Sequence, residues 1–382
     1  MTLKTRILAA LLGVCLQIGA AAAAGTVEAL TAPVAPGLFG APEVEPKETR
    51  DIISLVSRNW FLGEWRAYAS TFITTDGRVI DNANGGASHS EGQGYGLLLA
   101  VMADDRDAFQ LIWRWTDSHL KGRPDDLLSW RWDPQKGAIA DKNNATDGDI
   151  LVAWALAQGA RRFGKPEYLM AAKKIAQAVG AQTVKDSQHG PILLPGAAGF
   201  AQEDQPDGPV INLSYWVFPA FSTLKELAPE YDWDAVRENG LKLLGESRFG
   251  PRGLPADWQS VGDPSLAPAK NFPPQFGYNA IRIPLYLAWA DDDTSRRALR
   301  RFAGLWRGKG SAGPFVIDVN SGATAQALDG AGYRLALALG RCAALAQPVE
   351  GDLLKLRDSL YYPATLRMLS LAVLQERFPQ CL

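Results

Sequence analysis

Helical periodicity runs through nearly the whole chain, and it leaves few folds open. Apolar residues recur at helical spacing near 48–66, 91–103, 106–120, 147–163, 166–180, 213–228, 233–247, 280–290, 294–306, 325–346, 350–360 and 363–377. Pro363 falls where a first-turn proline is tolerated and marks a helix start. Long Gly/Pro/Trp-rich connections, 121–146, 185–212 and 249–278, separate alternate segments. Loops of that length on a rigid scaffold are where binding sites are usually built. About twelve helices in six pairs, with alternate connections lengthened, predict an all-α (α/α)6 barrel with long cleft-forming loops. A solenoid of helical pairs is the structural alternative, and the lack of a repeated sequence motif counts against it. Phe72 to Ile80, with the turn signal Thr75-Asp76-Gly77, predicts a small β-sheet at one barrel end.

The first residues read as an export signal, 1–24: Lys4 and Arg6 open it, Ile7 to Ala21 is apolar, and Ala22-Ala23-Ala24 offers small residues for cleavage. The apolar run contains Gln17 and is short for a membrane span. A lipoprotein reading of Leu12-Gly13-Val14-Cys15 meets bulky Val14 where a small residue is needed. The expectation is therefore an exported protein, periplasmic or secreted, with no integral membrane segment in the mature chain. A Pro/Ala-rich arm, 25–46, follows the signal, and 47–382 is left as one catalytic domain. The net charge of -2 argues against a nucleic-acid or anionic-lipid partner. Cleavage would leave Cys342 and Cys381, either as two buried thiols or as one disulfide tying down the C-terminal tail in an oxidising compartment. His89, His119 and His189 are scattered without ligand spacing, so no metal and no other cofactor is expected, and structural roles suffice for all three.

Two acidic segments head helical patterns: Ser90-Glu91-Gly92-Gln93-Gly94-Tyr95-Gly96 and Ala145-Thr146-Asp147-Gly148-Asp149. Carboxylates at the mouths of separate helices, among many Trp and Tyr, suit acid/base chemistry on a sugar polymer. Ser90 reads as an N-cap, which puts Glu91 in the first turn, where the helix dipole alone favours an acidic residue. The glycines need a further reason, since each costs a helix interior roughly 1 kcal/mol relative to Ala. Close approach of another chain segment, or of a bound sugar, supplies one. The dipole also lowers the pKa of Glu91, so a general acid there needs burial or a neighbouring carboxylate to raise it. Thr146-x-x-Asp149 reads as a capping box, giving Asp149 a structural role and leaving Asp147 to point into the loop-lined cleft.

Both motifs resemble the signature regions of glycoside hydrolase family 8, the bacterial endoglucanase family, and the resemblance runs from about Trp60 to the C-terminus. It implies the (α/α)6 barrel and endo-acting hydrolysis of β-1,4-glucan by single displacement with inversion. In that chemistry the two carboxyls stand roughly 6.5–9.5 Å apart to admit the water. By the resemblance, Glu91 protonates the leaving-group oxygen, and Asp147, at the subsite next to the cleaved bond, is the second essential carboxylate. The third motif, Phe276-Gly277-Tyr278-Asn279-Ala280-Ile281-Arg282-Ile283-Pro284, departs from a common family pattern. Many members carry the general base, an aspartate, at the position of Asn279, and Asn can only orient a water or a hydroxyl. Asp257 and Asp147 are then the candidate bases. Trp132 and Tyr215 match sugar-contacting positions, with Asn212 and Ser214 beside Tyr215. Arg282 is expected beside the carboxylates through a charge-assisted bond, and Tyr361-Tyr362 to turn one ring toward the scissile bond. Trp130, Trp216 and Trp258 are further candidates, because the apolar faces of pyranose rings pack on flat aromatic rings. The family also contains chitosanases, mixed-linkage glucanases and xylan-cleaving enzymes, and members of this type often accompany bacterial cellulose synthesis. That implies a link to a cellulose synthase complex and the trimming of nascent cellulose. A reading of another class is a glucan-binding protein that has lost catalysis at Asn279; intact Glu91 and Asp147 weigh against it.

Overall fold

The computed structural model describes residues 46–305 and 314–382. The expected signal peptide lies outside them, as does the arm apart from Pro46. The chain divides into two compact units, 1–60 and 61–382. Helix α1, Pro46–Phe72, crosses that division, and all later elements belong to the larger unit. Among the described residues eleven more α-helices follow: α2 Ser90–Met102, α3 Arg106–His119, α4 Thr146–Phe163, α5 Pro166–Thr183, α6 Phe221–Leu227, α7 Trp233–Glu246, α8 Arg282–Ala290, α9 Asp293–Leu299, α10 Ala331–Leu345, α11 Gly351–Lys355 and α12 Tyr361–Arg377. The even-numbered helices close a ring. Helix α2 packs on α4, α4 on α6, α8 on the 3-10 turn Phe218–Ala220 that precedes α6, and α10 on both α8 and α12, while α12 returns to α2. Outside it, α3 packs on α2, α5 on α4, α7 on α6 and α9 on α8. The architecture is an (α/α)6 barrel.

The two rings follow from the sequence. Helix α8 buries every residue from Arg282 to Trp289, and α12 buries Tyr361 and the run from Pro363 to Leu374. A helix apolar all round is stable only inside, where each buried Leu or Ile contributes about 1.5–3 kcal/mol. Helix α3 instead buries one stripe, Phe109, Ile112, Trp115 and Thr116. Gly94 and Gly96 let α2 approach its neighbours closely. A Cβ at Gly94 would lie 2.6 Å from the Cβ of Leu151 in α4, and one at Gly96 would lie 2.8 Å from Val79.

Connections from an inner helix to the next outer one are short, as at 103–105, 164–165 and 291–292. In the second of these connections, Gly164 ends α4 in the left-handed region (φ 68°) and Pro166 opens α5. Connections leading back to an inner helix are long, as at 120–145 and 247–281, so the loops gather where the inner helices begin. They carry four small sheets. The first joins β1 Ser88–His89, β2 Arg131–Asp133 and β3 Ala138–Asp141, with Ser88 opposite Trp132 and His89 opposite Arg131. The second pairs β4 Val184–Lys185 with β5 Ile192–Leu193, and the third joins β6 Val210–Ile211, β7 Gln259–Ser260 and β8 Ala267–Pro268. The fourth joins β9 Gln275–Phe276, β10 Phe315–Asp318 and β11 Thr324–Ala327.

Some expectations are corrected. The sheet over Phe72 to Ile80 is reduced to one bridge, Ile73 to Val79, around Gly77 at φ 95°. The segment 325–346 opens as strand β11, and 213–228 breaks into the 3-10 turns Leu213–Tyr215 and Phe218–Ala220 before α6, since Pro219 has no N–H to continue a helix. Of the two readings of the cysteines, the disulfide holds: Cys342 is bonded to Cys381 across 6.2 Å between Cα atoms. No helix among the described residues is long and apolar enough to cross a membrane.

Candidate active site

Inner helices contribute their first turns, or the turns just before them, to one constellation. Glu91 stands in the first turn of α2, Asp147 in that of α4, and Ser214 and Tyr215 in the 3-10 turn before α6; Arg282 is the first residue of α8, and Tyr362 the second of α12. Arg282 ties them together. One guanidinium nitrogen donates to Glu91 and, at 2.9 Å, to Oδ2 of Asp147; the other donates to Oγ of Ser214 at 2.8 Å and to Oδ1 of Asn279 at 3.0 Å. Ser214 passes the chain on to Oδ1 of Asn212 at 2.7 Å. The guanidinium also lies 5.6 Å from the Tyr215 ring centroid. An arginine at the start of its own helix opposes the helix dipole, and the two carboxylates offset that cost.

Exposure separates the two acids. The Glu91 side chain is 17% exposed, Asp147 only 1% and Arg282 2%. Asp147 is enclosed, bonded to Arg282 and to the backbone N–H of Gly148 (2.8 Å). Burial, and behind it the adjacent Glu91 carboxylate, pushes the Asp147 carboxyl well up despite Arg282. Burial also pushes Glu91 upward, but the charge of Arg282 and hydrogen bonds from Asp147 and Arg282 outweigh it and hold Glu91 low. Two close carboxyls sharing one proton behave in this way. Of the pair, Glu91 is the more exposed.

Asp149 does not form a capping box. Ala145 is the N-cap of α4, and Thr146 donates to the carbonyl of Leu194 (2.7 Å). The Asp149 carboxylate instead holds the 121–146 loop, accepting from Leu128 N (2.8 Å) and Asn144 Nδ2 (2.9 Å). Burial raises it to about 7. Ser90 is not the cap of α2 either; His89 is, with Nδ1 accepting from Gly92 N at 3.0 Å. Asp257 is buried, with Oδ1 accepting from Gly277 N (2.9 Å) and Ala280 N (2.8 Å) and Oδ2 from Gln275 (3.2 Å). It anchors the turn that carries Asn279, and burial raises its carboxyl. Asn279 holds Arg282.

Of the Tyr361-Tyr362 pair, Tyr361 is buried between Phe72 and His89, whereas Tyr362 is half-buried within reach of the charges of Arg282 and Glu91. Its hydroxyl donates to the Tyr278 carbonyl (2.6 Å), and its ring sits with those of Tyr278 and Tyr333. Trp132, on β2, is half-buried with its ring against Trp115 and His119. Trp258 is stacked between Phe200 and Phe272 beside Tyr215. Trp216 is core, fully buried with its indole N–H on the Val236 carbonyl. Residues that sequence reasoning passed over are His89, dismissed as structural, and Tyr278 and Tyr333. The capping place of His89, directly ahead of Ser90-Glu91, was the one legible signal. Among the described residues no three His, Cys, Asp or Glu side chains gather as metal ligands would.

Buried carboxylates clamped by an arginine at the mouth of an (α/α)6 barrel, with aromatic rings around them, define a glycoside hydrolase. The chain belongs to glycosyl hydrolases family 8, whose sequence profile matches residues 52–376. It is 40% identical over 241 residues to an endoglucanase of Cellulomonas uda, covering 63% of this chain and 66% of that protein. It is 37% identical over 311 residues to a probable endoglucanase of Novacetimonas hansenii, covering 80% and 88%. The structure of the endo-β-1,4-glucanase CMCax from Acetobacter xylinum superposes with a TM-score of 0.73 at 34% identity, over 82% of this chain and 97% of that one.

Proposed function

We propose that Glu91 is the proton donor of an endo-acting, inverting cleavage of β-1,4-glucan, and that Asp147 stores the proton it delivers. The enzyme class is endo-1,4-β-glucanase, in keeping with the family and the endoglucanases it resembles. The observation that carries the mechanism is the Glu91–Arg282–Asp147 bridge, in which only Glu91 is open to the cleft. Delivery of the proton to the glycosidic oxygen leaves two carboxylates on Arg282, whose fixed charge stabilises them. Tyr362, Tyr215 and Trp132 offer rings to the sugar faces, and Asn279, which cannot take a proton, orients a water or hydroxyl. Asp147 shares an Arg282 nitrogen with Glu91 and so stands too close to the donor to be the base, which leaves Asp257 as the candidate that activates the water.

Export and a place beside a cellulose synthase complex, trimming the nascent polymer, complete the reading. The disulfide favours an oxidising compartment. Proton NMR of anomeric signals during the first minutes on cellohexaose tests the whole proposal. Early build-up of the α-anomer at new reducing ends is expected, with Glu91→Gln lowering kcat by about 10²–10⁴. Early β-anomer would rule out inversion, and a fully active Glu91→Gln would remove the assigned donor. Asp147→Asn and Asp257→Asn, assayed alongside, test the proton store and the candidate base.

A further inference from the structure

His89 closes β1 and stands, in extended conformation (φ -139°, ψ 156°), as the N-cap of the helix that carries Glu91. Its Nδ1 accepts from Gly92 N, so the ring proton sits on Nε2, which faces Oδ2 of Asp81 at 3.5 Å. Asp81 is itself buried and held, accepting from Ala83 N (3.1 Å) and Asn84 Nδ2 (2.6 Å). On the open side of the imidazole the Tyr361 ring meets it edge-on, 5.7 Å between centroids. Gly92 makes room for the assembly: a Cβ there would lie 2.9 Å from the Tyr361 hydroxyl and 3.2 Å from two atoms of the His89 ring.

A cap alone does not call for histidine. Serine or aspartate satisfies a first-turn N–H at least as well and is far commoner in that place. The imidazole adds a second polar end, tied to a carboxylate, next to the accessible acid of the site. We propose that His89, oriented by Asp81, is the positioning residue of Glu91, locking the first turn of α2 and with it the place of the Glu91 carboxyl. The proposal rests on Glu91 being the proton donor. The arrangement is that of a buried carboxylate fixing the tautomer and orientation of a histidine that in turn serves a working group.

Against burial and Arg131, the carboxylates of Asp81 and Glu91 pull the imidazole above its ordinary range. A proton on Nδ1 would nevertheless give up the Gly92 bond, so the ring that caps α2 is neutral and acts on Glu91 through position.

His89→Asn, His89→Ala, Asp81→Asn and Glu91→Gln, each in the full chain, test the idea through kcat and KM on cellohexaose across pH 4 to 9, with thermal melting as the control on folding. Asn keeps a capping oxygen but neither the imidazole nor its reach to Asp81. Both His89 variants are expected to lose about 10-fold or more in kcat with KM within about 2-fold, the scale on which small misplacements of a reacting group act. Asp81→Asn, which keeps the cap but loosens the hold on the ring, is expected to lower kcat in the same way by less. If His89→Asn keeps the wild-type kcat while His89→Ala only melts earlier, His89 is a cap and nothing more, and the inference falls. A wild-type rate for Glu91→Gln would instead bring down the donor assignment on which it rests.

Discussion

Arg282 decides what the neighbouring side chains can do. A buried guanidinium with four partners is neutralised by geometry as much as by charge, because its planar fork meets Glu91 and Asp147 on one nitrogen and Ser214 and Asn279 on the other. Lysine offers a point charge with no fork, so Arg282→Lys leaves part of this set unpaired. Breaking a buried ion pair in this way costs about 3–5 kcal/mol. A clear fall in melting temperature together with lost turnover is expected, and an unchanged melting curve would show that the pairs are not held in solution. Asp147→Asn acts on the proton instead. Without its partner Glu91 remains under the lowering influence of Arg282 and is protonated only at lower pH. At pH 7 kcat should fall about 100-fold, with the optimum displaced toward acid; a profile identical to wild type would end the shared-proton account.

At the scale of elements, the first turn of α4 is also a clamp on the loop before it. Asp149 carries a carboxyl raised to about 7 while holding Leu128 and Asn144. A folded-state pKa above the unfolded one means that the native protein binds the extra proton between about pH 4 and 7, so this group's contribution to stability declines as pH rises through that window. The melting temperature of wild type minus that of Asp149→Asn should therefore shrink from pH 5 to pH 8, and a constant difference would place Asp149 in the ordinary range. Much of this architecture was legible in the chain. The twelve periodic segments were, because inner-ring helices such as α8 and α12 are apolar on every side and outer ones such as α3 carry a single stripe. Glu91, Asp147 and Arg282 were, because motif and helix start coincide. The caps were not. His89 takes the place expected of Ser90, and Asp149 spends its oxygens on Leu128 and Asn144 in the preceding loop rather than on its own helix. Such partners are chosen by tertiary packing, which local propensity does not record. The cleft aromatics divided for the same reason, Trp216 going to the core and Tyr362 to the site.

For the whole molecule the question is what closes the ring, since a barrel whose last helix comes away loses its mouth. Helix α12 is that last stave, packed on both α10 and α2 and carrying Tyr362. Beyond it the chain turns through Pro379–Cys381, where Cys381 is bonded to Cys342 on α10 and its carbonyl accepts from Val349 N at 2.9 Å. The covalent loop spans a sequence separation of 39 residues and contains α11 and α12 entire. On a chain-entropy account a loop of that size stabilises the fold by about 4 kcal/mol, by narrowing the unfolded ensemble rather than by adding native contacts. Two consequences separate that account from one in which the bond holds the site in shape. Reduction, or a Cys342→Ala/Cys381→Ala variant, should lower the melting temperature by about 5–10 °C. It should leave kcat on cellohexaose at 25 °C near wild type, because α12 is still packed on both neighbours. Hydrogen exchange should locate the loss in α12 and the final turn. A variant that melts like wild type but turns over poorly would reverse the conclusion, making the disulfide a brace for Tyr362 and the cleft instead of a limit on the unfolded chain.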